Sequence, residues 1–133
     1  MRRSLVAAPL LLAILAAAPP ALAQVDAGGR WIVSGRISGV SFTLNCDFQQ
    51  AGGALTGACI DSGVSDPKIR SGRRHILTRG HVEGDRVTWT YPSSFLLVRF
   101  DVDYAGIRTG DHMAGQITVQ NRTGAFTAMR AAP

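Results

Sequence analysis

From residue 29 to residue 130 apolar and polar side chains alternate with a period of two, and no stretch carries apolar residues at the i, i+3, i+4, i+7 spacing of a helix. Glycine, aspartate, asparagine, serine and proline interrupt the alternation at short intervals, as turns between strands do. The pattern predicts an all-β domain whose strands each bury one face. Because a slip of one residue turns a strand over, one set of turns must bring all the apolar residues to the same side.

Such a set exists. A turn on Ser38-Gly39 opposes Gly35 to Phe42, Val33 to Leu44 and Trp31 to Cys46, and one on Gly52-Gly53 opposes Phe48 to Gly57 and Cys46 to Cys59. Gly84-Asp85 opposes Val82 to Val87, Gly80 to Trp89 and Thr78 to Tyr91. The short Pro92-Ser93-Ser94 connection then opposes Tyr91 to Leu96, Trp89 to Val98 and Val87 to Phe100. Gly110-Asp111 opposes Tyr104 to Ile117 and Val102 to Val119, and a last loop over 120–123 opposes Val119 to Phe126, Ile117 to Ala128 and Gly115 to Arg130. The face assembled in this way is apolar. The other carries Ser41, Thr43, Asn45, Asp47, Gln49, Arg86, Thr88, Thr90, Arg99, Asp101, Asp103, Gln116 and Thr118, and suits solvent.

The turn at Gly52-Gly53 was fixed by its glycines, yet it sets the chain's two cysteines directly across from each other. Cys46 and Cys59 form a non-hydrogen-bonded pair in this register, with an expected Cα separation of about 4.5 Å, within reach of a disulfide. A bond there would contribute roughly 3 kcal/mol by restricting the unfolded chain, and it would pin the register.

Eight strands result, at 30–37, 40–50, 54–61, 75–82, 87–91, 95–108, 112–119 and 124–130, in a simple meander. Eight strands with one apolar face and no helix to cover it are expected to close on themselves, since closure removes both edges. The expected fold is a single antiparallel up-and-down β-barrel, with a two-sheet sandwich as the rival arrangement. Gly35, Gly57, Gly80 and Gly115 fall on the inward face, where they allow either tight strand coiling or open volume.

Residues 1–23 do not follow the β pattern. Arg2 and Arg3 precede an apolar run ending in Pro19-Pro20 and the small-residue triplet Ala21-Leu22-Ala23, the order of a cleavable export signal. The run is too short to span a bilayer, and no second run of that kind follows. The expected organisation is a signal peptide at 1–23 and one barrel domain at 24–133, in a bacterial periplasm or outside the cell, where a disulfide persists. The signal holds two of the chain's 14 basic residues and no acid, so its removal lowers the formal charge from +5 to +3. The charge is mild, and no basic stripe with interleaved aromatics is present, which argues against nucleic acid as a partner.

Gly29-Arg30-Trp31 opens the first strand and Arg130 ends the last, and the meander brings both to one end of the barrel. In strand number, order and these residues the chain resembles the calycin superfamily, the lipocalin-like and avidin-like eight-stranded barrels. The resemblance spans nearly all of 29–130. It implies that Trp31 closes the barrel's lower end with Arg130 packed over it as a cation–π pair. Trp31 and Trp89 are the only tryptophans, so the avidin set of ligand-contacting tryptophans is missing and biotin is not the expected ligand.

At the end opposite Trp31, the long 61–74 loop carries Lys68, Arg70, Arg73 and Arg74, a cationic cluster suited to an anionic head group or an acidic partner surface. Phe42, Trp89, Tyr91, Leu96, Val98 and Phe100 either line an apolar cavity below that rim or fill it, because an eight-stranded barrel is of a size that permits both. His75 and His81 share the outward face of the fourth strand, about 20 Å apart, too far to hold one metal. No nucleophile motif, cofactor or metal site is implied, so catalysis is not expected. Two functions remain: a carrier holding a small apolar or amphipathic ligand in the barrel, and an interaction protein, such as an inhibitor of a lysozyme or protease, acting through the 61–74 loop.

Overall fold

The computed structural model describes residues 26–132; the expected signal peptide lies outside them. Nine strands follow one another: β1 (Gly29–Ile37), β2 (Val40–Ala51), β3 (Ala54–Val64), β4 (Arg74–Ile76), β5 (Arg79–Glu83), β6 (Arg86–Phe95), β7 (Val98–Thr109), β8 (His112–Val119) and β9 (Arg122–Arg130). Each is antiparallel to its neighbours, and β1 pairs with both β2 and β9, which closes the sheet. β4 and β5 are two pieces of one barrel strand, both paired to β3, so the barrel has eight strand positions.

The glycine-marked hairpins have the predicted register. Trp31 opposes Cys46, Cys46 opposes Cys59, Val82 opposes Val87 and Tyr104 opposes Ile117. Cys46 and Cys59 form the disulfide, with Cα atoms 4.0 Å apart and both side chains buried. At Gly57, where φ is +136°, a Cβ would run into the carbonyl oxygen of Asp47. This inward glycine therefore permits close approach of β2 and β3 and tight coiling rather than leaving open space.

Three features differ from the sequence expectation. First, β6 runs straight through Pro92-Ser93-Ser94 and turns on Leu96-Leu97, so Tyr91 opposes Val102 and Trp89 opposes Tyr104, a shift of six residues. Beyond Thr90 the β6 strand is paired in register only with β7, and a proline is tolerated on such an edge. Second, the final hairpin turns tightly after Val119, with Gln120 at φ 55°, so Phe126 opposes Gly115 rather than Val119. Third, Leu77-Thr78 interrupts the fourth barrel strand, and the alternation reverses across the break: His75 and Val82 both point inward. His75 and His81 thus do not share an outward face. The outer wall is polar on most strands but also exposes Ile32, Ile60, Ile76, Ile107 and Met129.

The lower half of the barrel is solid. Phe48, Trp89, Tyr104 and Phe126 form an aromatic layer, with Trp89 stacked on Tyr104 at 4.7 Å between ring centres. The Trp89 indole nitrogen has no hydrogen-bond partner among the described residues. Below them the Arg130 guanidinium lies 4.4 Å from the centre of the Trp31 ring. Arg130 also donates to the carbonyls of Gly28 and Asp26 and to the carboxylate of Asp111, and the Trp31 indole N–H donates to the Ala27 carbonyl at 3.0 Å. One side chain thereby ties the lead-in to β1, the β7–β8 turn and β9 together. Arg130→Ala is expected to lower stability by about 2 kcal/mol through loss of the cation–π contact and of these charge-assisted bonds; denaturant unfolding checks it.

Candidate functional site

The upper half of the barrel is open. The β1–β2 turn, the loop between β3 and β4, and the β6–β7 and β8–β9 turns share this rim, and below them lies a cavity of about 340 Å³. Its wall is apolar: Ile37, Val40, Phe42, Phe95, Phe100, Val102 and Val119. Alternation puts these side chains inward, and the aromatic layer stops the cavity from reaching the lower end.

Its base is polar. The hydroxyls of Tyr91 and Tyr104 share a hydrogen bond of 2.8 Å. His75 stacks on the Tyr91 ring at 4.5 Å, and its Nε2 lies 2.9 Å from the Asp61 carboxylate. His75 is only 6% exposed. Burial holds both phenols well above the ordinary tyrosine range; for each the Asp61 carboxylate adds to the rise, and for Tyr104 so does its neighbour Tyr91. The base therefore presents neutral hydroxyls that donate and accept, beside an imidazole held by a carboxylate.

Arg73 closes one side of the rim. Its guanidinium donates to the Ser94 carbonyl at 3.0 Å and the Ser94 hydroxyl at 3.1 Å, fastening the loop to the end of β6 where β5 no longer pairs. Ser65 and Ser41 tie the same loop to the start of β2.

The residues expected to contact a ligand are divided by this geometry. Phe42, Tyr91 and Phe100 line the cavity, whereas Trp89 is packed in the layer beneath it. Leu96 and Val98 are not inside at all: the six-residue register shift carries them to the hairpin tip, where they are 79% and 54% exposed. Of the rim cations, Arg73 lines the cavity, and Lys68 and Arg70 are exposed on its loop. Arg74 instead lies on the outer wall beside Arg30, Asn45 and Ile60, because β4 has begun and His75 takes the inward position. Outside the barrel, Asp101 and Asp103 face solvent with Arg79 within 3.9 Å of both, and Asp103 accepts from the largely buried Thr90 hydroxyl at 2.6 Å.

Sequence reasoning missed Asp61, His75 and Tyr104 as parts of the base. Asp61 follows Cys59 by two residues and so shares its inward face, a signal that was present. His75 depends on the break at Leu77-Thr78, marked only by an apolar Leu77 at the wrong parity for the Thr78-Gly80-Val82 face. Among the described residues no group of three or more His, Cys, Asp and Glu side chains is placed to hold a metal ion.

No protein-family model matches the chain, and no curated protein does. Among solved structures it is similar to a redesigned β-barrel, mFAP1, determined bound to DFHBI, at 17% identity and a TM-score of 0.56, over 78% of this chain and 94% of that one. At that identity the likeness speaks for the fold alone, and it agrees with the closed, eight-stranded antiparallel barrel that the strand pairing describes.

Proposed function

We propose that this protein is an exported carrier that holds a small amphipathic molecule in the open half of the barrel and performs no chemistry on it. The observation that carries the reading is the division of the interior: a packed aromatic layer below, and above it a cavity of about 340 Å³ with apolar walls and a polar base. The apolar part of the ligand lies against Phe42, Phe100, Val102 and Val119, and its hydrogen-bonding group meets Tyr91, Tyr104 and His75. The volume lies within the range of small-molecule sites. The disulfide belongs to a non-cytoplasmic compartment, which supports the periplasm or the cell exterior as its place. Similarity to a redesigned barrel determined bound to DFHBI is in keeping with this use of the fold.

Native mass spectrometry of the protein purified from its producing host, followed by titration of the stripped protein with the fluorescent apolar probe N-phenyl-1-naphthylamine, tests the proposal. The expected result is a stoichiometric small-molecule adduct and saturable probe binding. Val102→Phe, which puts a ring in the cavity, should weaken the probe by about tenfold or more by occupying the space its apolar part needs. A clean apo mass together with no saturable binding would overturn the carrier and leave the 61–74 loop, as a surface for a protein partner, the better reading.

A further inference from the structure

The tip of the β6–β7 hairpin is built against ordinary local preference. Leu96 and Leu97 occupy its turn with φ of 48° and 69°, the left-handed region that Asn-Gly or Gly-Gly fills at low cost in hairpins of this kind. Neither leucine is compensated by packing: Leu96 is 79% exposed and Leu97 fully so, and Phe95 and Val98 on either side are exposed too. Two consecutive leucines therefore project from the molecule at a convex point, with Val98 exposed beside them and Phe95 turned toward the cavity mouth. Local conflict of this sort without internal gain marks a contact made with something else.

What surrounds the tip identifies the partner. The hairpin stands on the rim of the cavity, and Arg73 binds it directly through Ser94. Lys68 and Arg70 are exposed on the Arg73 loop, Arg99 follows Val98, and Arg122 lines the mouth at the start of β9. Of the acids nearby, Asp61 is held on His75 beneath the rim and Asp101 faces Arg79 on the outer wall, while Asp66, which accepts the Lys68 backbone N–H, keeps its charge and offsets one of these cations. An apolar point ringed by an excess of cations matches the interface of an anionic bilayer, where leucines enter the acyl boundary and arginines meet lipid phosphates. A folded protein partner would need a concave apolar pocket set within an acidic surface, whereas a bilayer deforms around a two-residue point.

We propose that the open rim docks on anionic lipid bilayers, with Leu96 and Leu97 as the inserting point and Lys68, Arg70, Arg99 and Arg122 at the level of the head groups. The cavity mouth then faces the membrane. This surface goes beyond the carrier reading and stands without it, since neither leucine lines the cavity.

Vesicle sedimentation of the mature protein tests the proposal, using phosphatidylcholine alone and an equal mixture of phosphatidylcholine and phosphatidylglycerol. The protein should partition at least about tenfold more strongly onto the mixed vesicles, and raised salt should release it. The Leu96→Asn/Leu97→Gly variant supplies the turn residues the backbone prefers, so it should fold at least as stably and bind N-phenyl-1-naphthylamine as the parent does. Its partitioning should nevertheless fall by about tenfold or more. Absence of binding to the mixed vesicles, or equal binding by the Asn-Gly variant, overturns the proposal and points to a protein at this surface. Because Val102→Phe should leave vesicle binding intact while weakening the probe, failure of the docking surface and failure of the cavity are read separately.

Discussion

Titrated with alkali, the native protein should develop no phenolate absorbance as the pH passes the ordinary tyrosine range, and it should unfold instead. Tyr91 and Tyr104 are the chain's only tyrosines, so the signal has no other source. Both are buried, and burial is the first cause of the rise in each phenol's pKa. The direction of the linkage follows. Below about pH 10 the folded and unfolded chains both carry protonated phenols, and the tyrosines introduce no pH dependence. Above it the unfolded chain releases two protons that the folded chain retains, so stability falls by about 1.4 kcal/mol per pH unit for each tyrosine, roughly 2.7 kcal/mol for the pair. Ultraviolet absorbance and circular dichroism should therefore change together in one transition, and Tyr91→Phe should make the loss with pH about half as steep. A phenolate signal appearing near pH 10 with the dichroism still native would show that the base of the cavity is open to hydroxide, contrary to the packing described.

Removing the disulfide has the second large effect. Cys46 and Cys59 close a loop of 13 residues' separation in a domain with one small core, and the bond restricts the unfolded chain by roughly 3 kcal/mol. The Cys46→Ser/Cys59→Ser variant should lose at least about that much, because two buried hydroxyls replace apolar sulfur. For a domain of this size the thermal midpoint should drop by more than about 10 °C. The damage should extend to the site, since Cys59 opposes His75 across the β3–β4 pairing and supports the imidazole beneath the cavity. A midpoint within a few degrees of the parent would mean that the β2–β3 register is held by its glycines and inward packing alone.

The sequence determined the class of fold, the closure of the barrel, the disulfide and the end of the molecule at which a site could lie. Each rests on local rules that act at short range: period-two alternation sets the buried face, and the glycine-marked turns at 38–39, 52–53, 84–85 and 110–111 set register by their own backbone geometry. Where a turn lacked glycine the local rule pointed elsewhere. Pro92-Ser93-Ser94 has the composition of a turn and lies in a strand, while Leu96-Leu97 has the composition of a strand and forms the turn. Both register errors, at this hairpin and at the last, were even-numbered shifts, so inward residues stayed on the inward face but moved along the barrel axis. The tertiary structure alone decided depth. It stacked Trp89 into the aromatic layer, brought Tyr104 up to Tyr91, carried Leu96 and Val98 out to the tip, and turned His75 inward across the break at Leu77-Thr78. Whether a barrel of this size is filled or hollow depends on which rings reach which level, and that is a property of eight strands packed at once rather than of any one of them.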